Sequence, residues 1–217
     1  MPNGGSVDGR RVLLLGAGGL ALEVADLVRA LGGHVAGFFE EGVQLFRQIQ
    51  DVPVVDDPTD VDCDAAVVAV GDTFLRRRFL ESIASQLEIV SAVHPSASVS
   101  DGADLGRGVV VMQNVVVSAS AVVGEGCLLN VGCYVAHHCS IGDFVHVGPG
   151  VQVGGHAAIG DLTICGLGSI LLPRIRVGSR CICGAGSVID QDTPDDSVLA
   201  GVPARVLRAV RDGESRC

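Results

Sequence analysis

The sequence predicts two architectures in one chain: an open α/β unit, then a coil of very short strands. Three observations carry that expectation. The first is a continuous apolar run that ends in a glycine turn and leads into apolar residues at helical spacing. The second is an unbroken six-residue period through the second half. The third is the composition, with 30 Gly in 217 residues and only 3% aromatics, which suits a thin repetitive core better than one built on aromatic anchors.

In the first half, residues 11–15 (RVLLL) read as a buried parallel strand. The turn Gly16-Ala17-Gly18-Gly19-Leu20-Ala21 follows. Leu20, Val24, Leu27, Val28 and Leu31 then recur at helical spacing until Gly32 and Gly33 stop the helix. A second strand spans residues 35–39 and is closed by Glu40, Glu41 and Gly42; a third spans 65–70 and is closed by Gly71 and Asp72. Thr73 is placed to cap a short Arg-rich helix over 73–85. The result is a βαβ, Rossmann-like unit whose turns at the strand C-termini face a ligand. The turn fits the G-x-G-x-x-[GA] pattern, with Glu40 about 20 residues on. Glycines there let backbone approach a phosphate, and the helix N-terminus favours an anion. A single-nucleotide site, a dinucleotide site and a purely structural tight turn all fit the pattern. The α/β alternation stops near residue 90, before a second half-sheet.

From Val93 to Ile189, stepping by six, 17 consecutive positions are aliphatic or Cys without a slip. The residue four later is almost always small, and the one just after the aliphatic is Gly in nine of the 17. No α-helix keeps a period of six on one face, and a simple strand has period two. Short strands with a bend every six residues satisfy the pattern. Three such strands make one triangular coil, and stacked coils pair at roughly 4.8 Å.

The charge balance narrows function. The 15 basic residues are all Arg and face 25 acidic ones, a formal charge of −10, which argues against a nucleic-acid partner. No apolar run approaches the roughly 18 residues of a membrane span, so no membrane insertion is expected. The N-terminal residues show no signal-peptide core. The eight Cys contain no CxxC pair and read as reduced packing residues of a cytoplasmic protein.

Several stretches carry a family resemblance: 15–19 (LGAGG), 37–42 (GFFEEG), 69–72 (AVGD) with Arg76, and 94–97 (HPSA). Asn130, 137–146 (HHCSIGDFVH), 184–187 (GAGS) and 200–205 (AGVPAR) continue it. From about residue 11 to 210 the chain resembles the sialic acid O-acetyltransferase-like, hexapeptide-repeat sugar acyltransferases. Within that family it most resembles bacterial nucleotide-aminosugar N-acetyltransferases. The resemblance implies a left-handed parallel β-helix; handedness comes from it alone, because such crossovers break the usual rule. It also implies a homotrimer that holds acetyl-CoA between neighbouring β-helices. Residues 1–10 are then expected as a flexible tail and 11–90 as a Rossmann-like nucleotide-sugar-binding domain. Residues 91–193 would form the β-helix acetyltransferase domain, and 194–217 a C-terminal segment contacting acetyl-CoA, with a tail.

Acyl transfer to an amine needs a base for the nitrogen's proton and donors for the thioester oxyanion. CoA brings the thiol, so no enzyme nucleophile is needed. The resemblance assigns His137 as general base. The family usually follows that histidine with Asp or Glu; here His138 takes the place, and a second imidazole can accept a hydrogen bond but brings no negative charge. The same matching gives His146, Leu167 and Ala185 to acetyl-CoA. It gives Gly18, Gly19, Leu20, Glu40, Glu41 and Gly71 to the nucleotide-linked amino sugar. His138 and His156 are 18 apart and should stack on adjacent coils. With His146 they suggest a metal, but the His-x4-His pair of trimeric β-helix carbonic anhydrases is absent, and no metal is expected. The expected activity is acetyl-CoA-dependent N-acetylation of a UDP- or GDP-linked 4-amino sugar for surface glycans. The alternatives are O-acetylation of a sialic-acid-type hydroxyl and a non-catalytic trimeric sugar-nucleotide scaffold.

Overall fold

The computed structural model describes residues 6–42, 47–211 and 214. Residues 1–5 of the expected N-terminal tail, and 212–213 and 215–217 (with Cys217) of the C-terminal segment, lie outside the described residues.

The first half is a six-stranded sheet built around β1 (Arg11–Leu15). The chain continues through α1 (Gly19–Ala30), β2 (His34–Phe39), β3 (Gln48–Ile49) and β4 (Val52–Val55). It returns through β5 (Ala65–Val68), α2 (Thr73–Ile83) and β6 (Glu88–Ile89). The order β3-β4-β2-β1-β5-β6 puts β2 and β5 on either side of β1, all three parallel. The chain therefore switches sides at β1, and the C-terminal ends of β1, β2 and β5 open onto one crevice. The apolar runs encode this: residues 12–15 and 65–68 are all buried, as strands covered on both faces must be. The third expected strand ends two residues early, at Val68. Asp72, not Thr73, caps α2, its carboxylate accepting from the Phe74 and Leu75 N–H groups at 3.0 and 2.9 Å. Thr73 is already the first helical residue, so the side chain placed to reach those N–H groups is the one before it, on the extended backbone of Asp72. The strands β3, β4 and β6 lie where the sequence shows no alternating run, and each is four residues or shorter.

The second half is a left-handed three-sided β-helix. Its strands are two residues long and pair with the strand 18 residues on, as Val116↔Tyr134 and Val117↔Val135 show. In each strand the six-period residue points inward and its predecessor outward. Leu129, Val135, Ile141, Val147, Val153 and Ile159 are at most 2% exposed. The first face carries the strands Leu128–Leu129, His146–Val147 and Ile164–Cys165, the second Tyr134–Val135 and Gln152–Val153, the third Ser140–Ile141 and Ala158–Ile159. Its one Tyr and one Phe, Tyr134 and Phe144, both stay out of the axial column: one on the outer face, one at a corner. The C-terminal strands Ser197–Gly201 and Ala204–Ala209 close the end of the first face as an antiparallel pair.

The two halves are welded along that first face. Val24, Leu27 and Val28 of α1 share a buried cluster with Val110, Met112 and Leu128. Phe79, Leu80 and Ile83 of α2 share another with Phe144 and Leu162, at the corner between the third and first faces. Arg76 also lies on the buried stripe of α2 at 1% exposure, and donates to Gly71 O at 2.8 Å and Gly126 O at 3.4 Å. No helix among the described residues is long and apolar enough to cross a membrane.

Candidate active site

The residues singled out from the sequence fall at separate places around the β-helix. The first is the crevice at the switch point. Gly16 accepts no substitute: its φ is +130°, and a Cβ would stand 2.6 Å from Ala69 O. That turn swings the chain into α1. A Cβ on Gly18 or Gly19 would meet nothing within 4 Å, so their lack of side chains keeps open space in front of the helix N-terminus. Gly18 precedes α1 with no side-chain cap, and the first turn holds no acidic residue, so no side chain of the helix satisfies its first N–H groups.

The resulting cleft holds about 540 Å³ and is lined by Gly18, Gly19, Leu20, Glu40, Gly71 and, from the β-helix, Asn130 and His146. Glu41 is not part of the lining and pairs with Arg78, while Glu40 also pairs with Arg47. His146, matched in sequence to a CoA contact, thus faces the same cleft as the glycine turn. Both of its ring nitrogens are buried and make no hydrogen bond of normal geometry with the described residues, the Gly71 backbone exerting only a weak pull. Unpaired buried polar atoms cost about 1–3 kcal/mol each, so this ring is built to meet something that enters. Burial, reinforced by the Arg76 charge, pushes its pKa down to about 3, and the ring is neutral at physiological pH.

That shift sets an acid sensitivity. The unfolded chain takes up a proton near pH 6.5 and the folded chain only near 3, so stability falls as pH drops through that window. Between pH 7 and 5 the loss from this residue is about 2 kcal/mol. Denaturant unfolding of the protein and of His146→Asn is expected to show that the variant loses about 2 kcal/mol less over the same interval.

The second group lies at the edge between the second and third faces, opposite the face that carries the α/β unit. His137 and His138 occupy the corner after Val135, and His156 the same corner one coil on. His137 Nδ1 lies 3.1 Å from His138 Nδ1. His138 and His156 stack at 4.7 Å with 14° between planes, and His137 meets each of them edge-on. Both stacked residues are left-handed, at φ +59° and +61°, as this corner demands. Gly155 makes room for the His137 ring: a Cβ there would stand 2.9 Å from His137 Cε1. The expected His138–His156 stack is present, with His137 as the third ring in place of His146.

Leu167 and Ala185 lie at the edge between the first and second faces, on successive coils above Asn130. Both are exposed, Leu167 at 63%. The second face, with exposed Val116 and Ile170, separates them from His137. One chain therefore presents His137, the pair Leu167 and Ala185, and the glycine-turn cleft at three separate places. Asn130 and the structural role of Arg76 were not assigned from sequence. The spacing 73, 76, 80, 83 along α2 is the signal that would have placed Arg76 on its buried side.

Residues 11–83 match the PglD N-terminal domain family, and residues 120–155 the bacterial transferase hexapeptide family of six repeats. A perosamine N-acetyltransferase variant from Caulobacter crescentus, solved with CoA and GDP-perosamine, is 32% identical. The match covers 91% of this chain and 97% of that one, with a TM-score of 0.87. The acetyltransferase domain of PglB from Neisseria gonorrhoeae, solved with acetyl coenzyme A, is 34% identical. Here 94% and 100% of the two chains are covered, with a TM-score of 0.83. WeeI from Acinetobacter baumannii, 22% identical over 91% and 99% of the two chains, shares the fold at a TM-score of 0.73. The search of curated proteins finds no match. A glycine-turn α/β unit fused to a hexapeptide β-helix, matched at this identity over nine-tenths of its length, leaves one assignment: the chain belongs to the hexapeptide-repeat sugar acyltransferases and is an acetyl-CoA-dependent N-acetyltransferase.

Proposed function

We propose that the protein transfers the acetyl group of acetyl-CoA to the amine of a nucleotide-linked amino sugar, with His137 as general base. The observation that carries the substrate class is the cleft: an uncapped helix N-terminus faced by two side-chain-free glycines, with an unpaired neutral imidazole in its wall. The helix start suits a diphosphate, and His146 and Asn130 suit the polar sugar beyond it. The similarity to an enzyme solved with CoA and GDP-perosamine supports a nucleoside diphosphate 4-amino sugar. Residues 11–90 then act as the sugar-nucleotide domain and 91–193 as the acetyl-transfer domain. His137, Leu167 and Ala185 come together only when a second copy lays its edge beside the first. A cyclic homotrimer does this three times over, and the exposed apolar residues of the second face supply the contact.

In the reaction the amine nitrogen attacks the thioester carbonyl, His137 Nε2 takes its proton, and the tetrahedral intermediate expels CoA as the thiolate. His137 can accept at Nε2 only if its Nδ1 carries hydrogen, so the Nδ1–Nδ1 contact must run from His137 as donor to His138 as acceptor. That requires a neutral His138 with its own proton on Nε2. His138 is thus a positioning residue standing where a carboxylate serves in relatives. The Gly155 N–H, one coil from His137 and without a described partner, is the donor we assign to the oxyanion.

The test is release of CoA thiol with UDP- and GDP-linked 4-amino sugars, a sialic acid, and no acceptor. Release with the amino sugars alone is expected; release with the sialic acid selects O-acetylation, and binding without release selects the scaffold. In the same assay Gly18→Val is expected to fold normally and to raise the nucleotide-sugar KM at least about tenfold, because its side chain fills the approach to the helix start. The acetyl-CoA KM is expected to stay unchanged.

A further inference from the structure

The edge between the second and third faces holds three imidazoles, although the reaction needs one base and one group to orient it. His137, His138 and His156 each offer a ring nitrogen, and the three atoms lie within 4.8 Å of one another. Zinc–nitrogen bonds of about 2.0–2.1 Å place tetrahedral ligands about 3.3 Å apart. His137 and His138 already meet that spacing at 3.1 Å. The third ring has to close by about 1.5 Å at most, a side-chain rotation that three exposed residues can make.

The backbone under these rings is fixed by the coil. His138 N–H donates to Ala119 O at 3.2 Å, His156 N–H to His137 O at 3.1 Å, and Arg174 N–H to Gly155 O at 3.0 Å. The left-handed turns at 138 and 156 aim both rings the same way out of the corner. A neutral imidazole is the ligating form. Three nitrogen donors select zinc, copper or nickel over magnesium or calcium. The buried thiols do not compete: burial pushes Cys127 and Cys133 up to about 12.

We propose that His137, His138 and His156 form a binding site for a divalent transition-metal ion of the zinc type, with water completing the shell. Its occupation blocks acetyl transfer, because an ion on His137 Nδ1 displaces the hydrogen from that nitrogen and leaves the neutral ring's proton on Nε2, where the base needs a free lone pair. The binding half stands on the three rings alone; the blocking half rests on the proposed role of His137.

Calorimetric titration of the chelator-stripped full-length protein with zinc, and optical titration with cobalt, separate the two. One ion per chain in the micromolar range is expected, with a cobalt spectrum of nitrogen and oxygen ligation. His156→Asn, whose side chain suits the left-handed backbone, is expected to weaken binding at least about tenfold. Absence of binding, equal binding by the variant, or a thiolate-to-cobalt charge-transfer band overturns the site. Zinc should inhibit CoA release over the same range in which it binds, with the inhibition curve of His156→Asn displaced to higher zinc. Stoichiometric, His156-dependent binding with undiminished turnover overturns the blocking half and leaves the site standing.

Discussion

Replacing His137 by Ala is expected to lower kcat for CoA release by about 10²–10⁴-fold, the usual worth of a positioned base. The KM values for both substrates should change little. The ring is exposed and lies outside the buried interior, so the coil has no packing reason to rearrange. The glycine-turn cleft is on the other side of the β-helix and keeps its lining. A loss in kcat with retained binding is therefore the signature of a proton acceptor. A variant that turns over at the parental rate removes His137 from the reaction. His138→Ala should fall between the two, because it frees the His137 ring to flip without deleting the base. His138→Gln, which can still accept through its amide oxygen, should recover part of that loss.

Arg76→Ala is expected to have the largest effect on stability, about 3 kcal/mol or more. The side chain is 1% exposed and lies between α2 and the β-helix. Its removal leaves a cavity and strips the Gly71 and Gly126 carbonyls of a charged donor. A large-to-Ala change in a core costs about 2–5 kcal/mol, and a buried acceptor left without its donor about 1–3. In a chain of this size that is a fall of about 6–12 °C in melting temperature. The variant should also loosen the turn at Gly71, which lines the cleft, and so weaken nucleotide-sugar binding more than acetyl-CoA binding. A thermal melt within 2 °C of the parent, on the same scale of about 2–4 °C per kcal/mol, would show that Arg76 does not join the halves.

The chain's periodicities were readable without coordinates because each is a local rule repeated many times. A residue every six that must fill a narrow axis leaves only aliphatics and Cys at 17 positions, and one slip would turn a coil inside out. The run at 12–15 and the glycine at 16 are as direct: a strand covered on both faces, then a turn that only glycine can make. The cleft was readable in part. Gly18, Gly19, Leu20, Glu40 and Gly71 come from strand ends that any doubly wound sheet brings together. Glu41, one residue on from Glu40 and already in the turn after β2, pairs with Arg78 instead.

The rest depended on how the two halves meet. No spacing in the chain says that α1 lies on the first face, and so nothing local puts His146 and Asn130 in the wall of the glycine cleft. The same docking buries Arg76, leaves the His146 nitrogens without partners, and holds that ring neutral. Repeat number and register alone stack His138 on His156 and bring His137 against both. Local order in this protein is thus a property of sequence period, set by side-chain volume and backbone turn. The site is a property of packing, because desolvation and hydrogen-bond pairing exist only between surfaces that the fold has brought together.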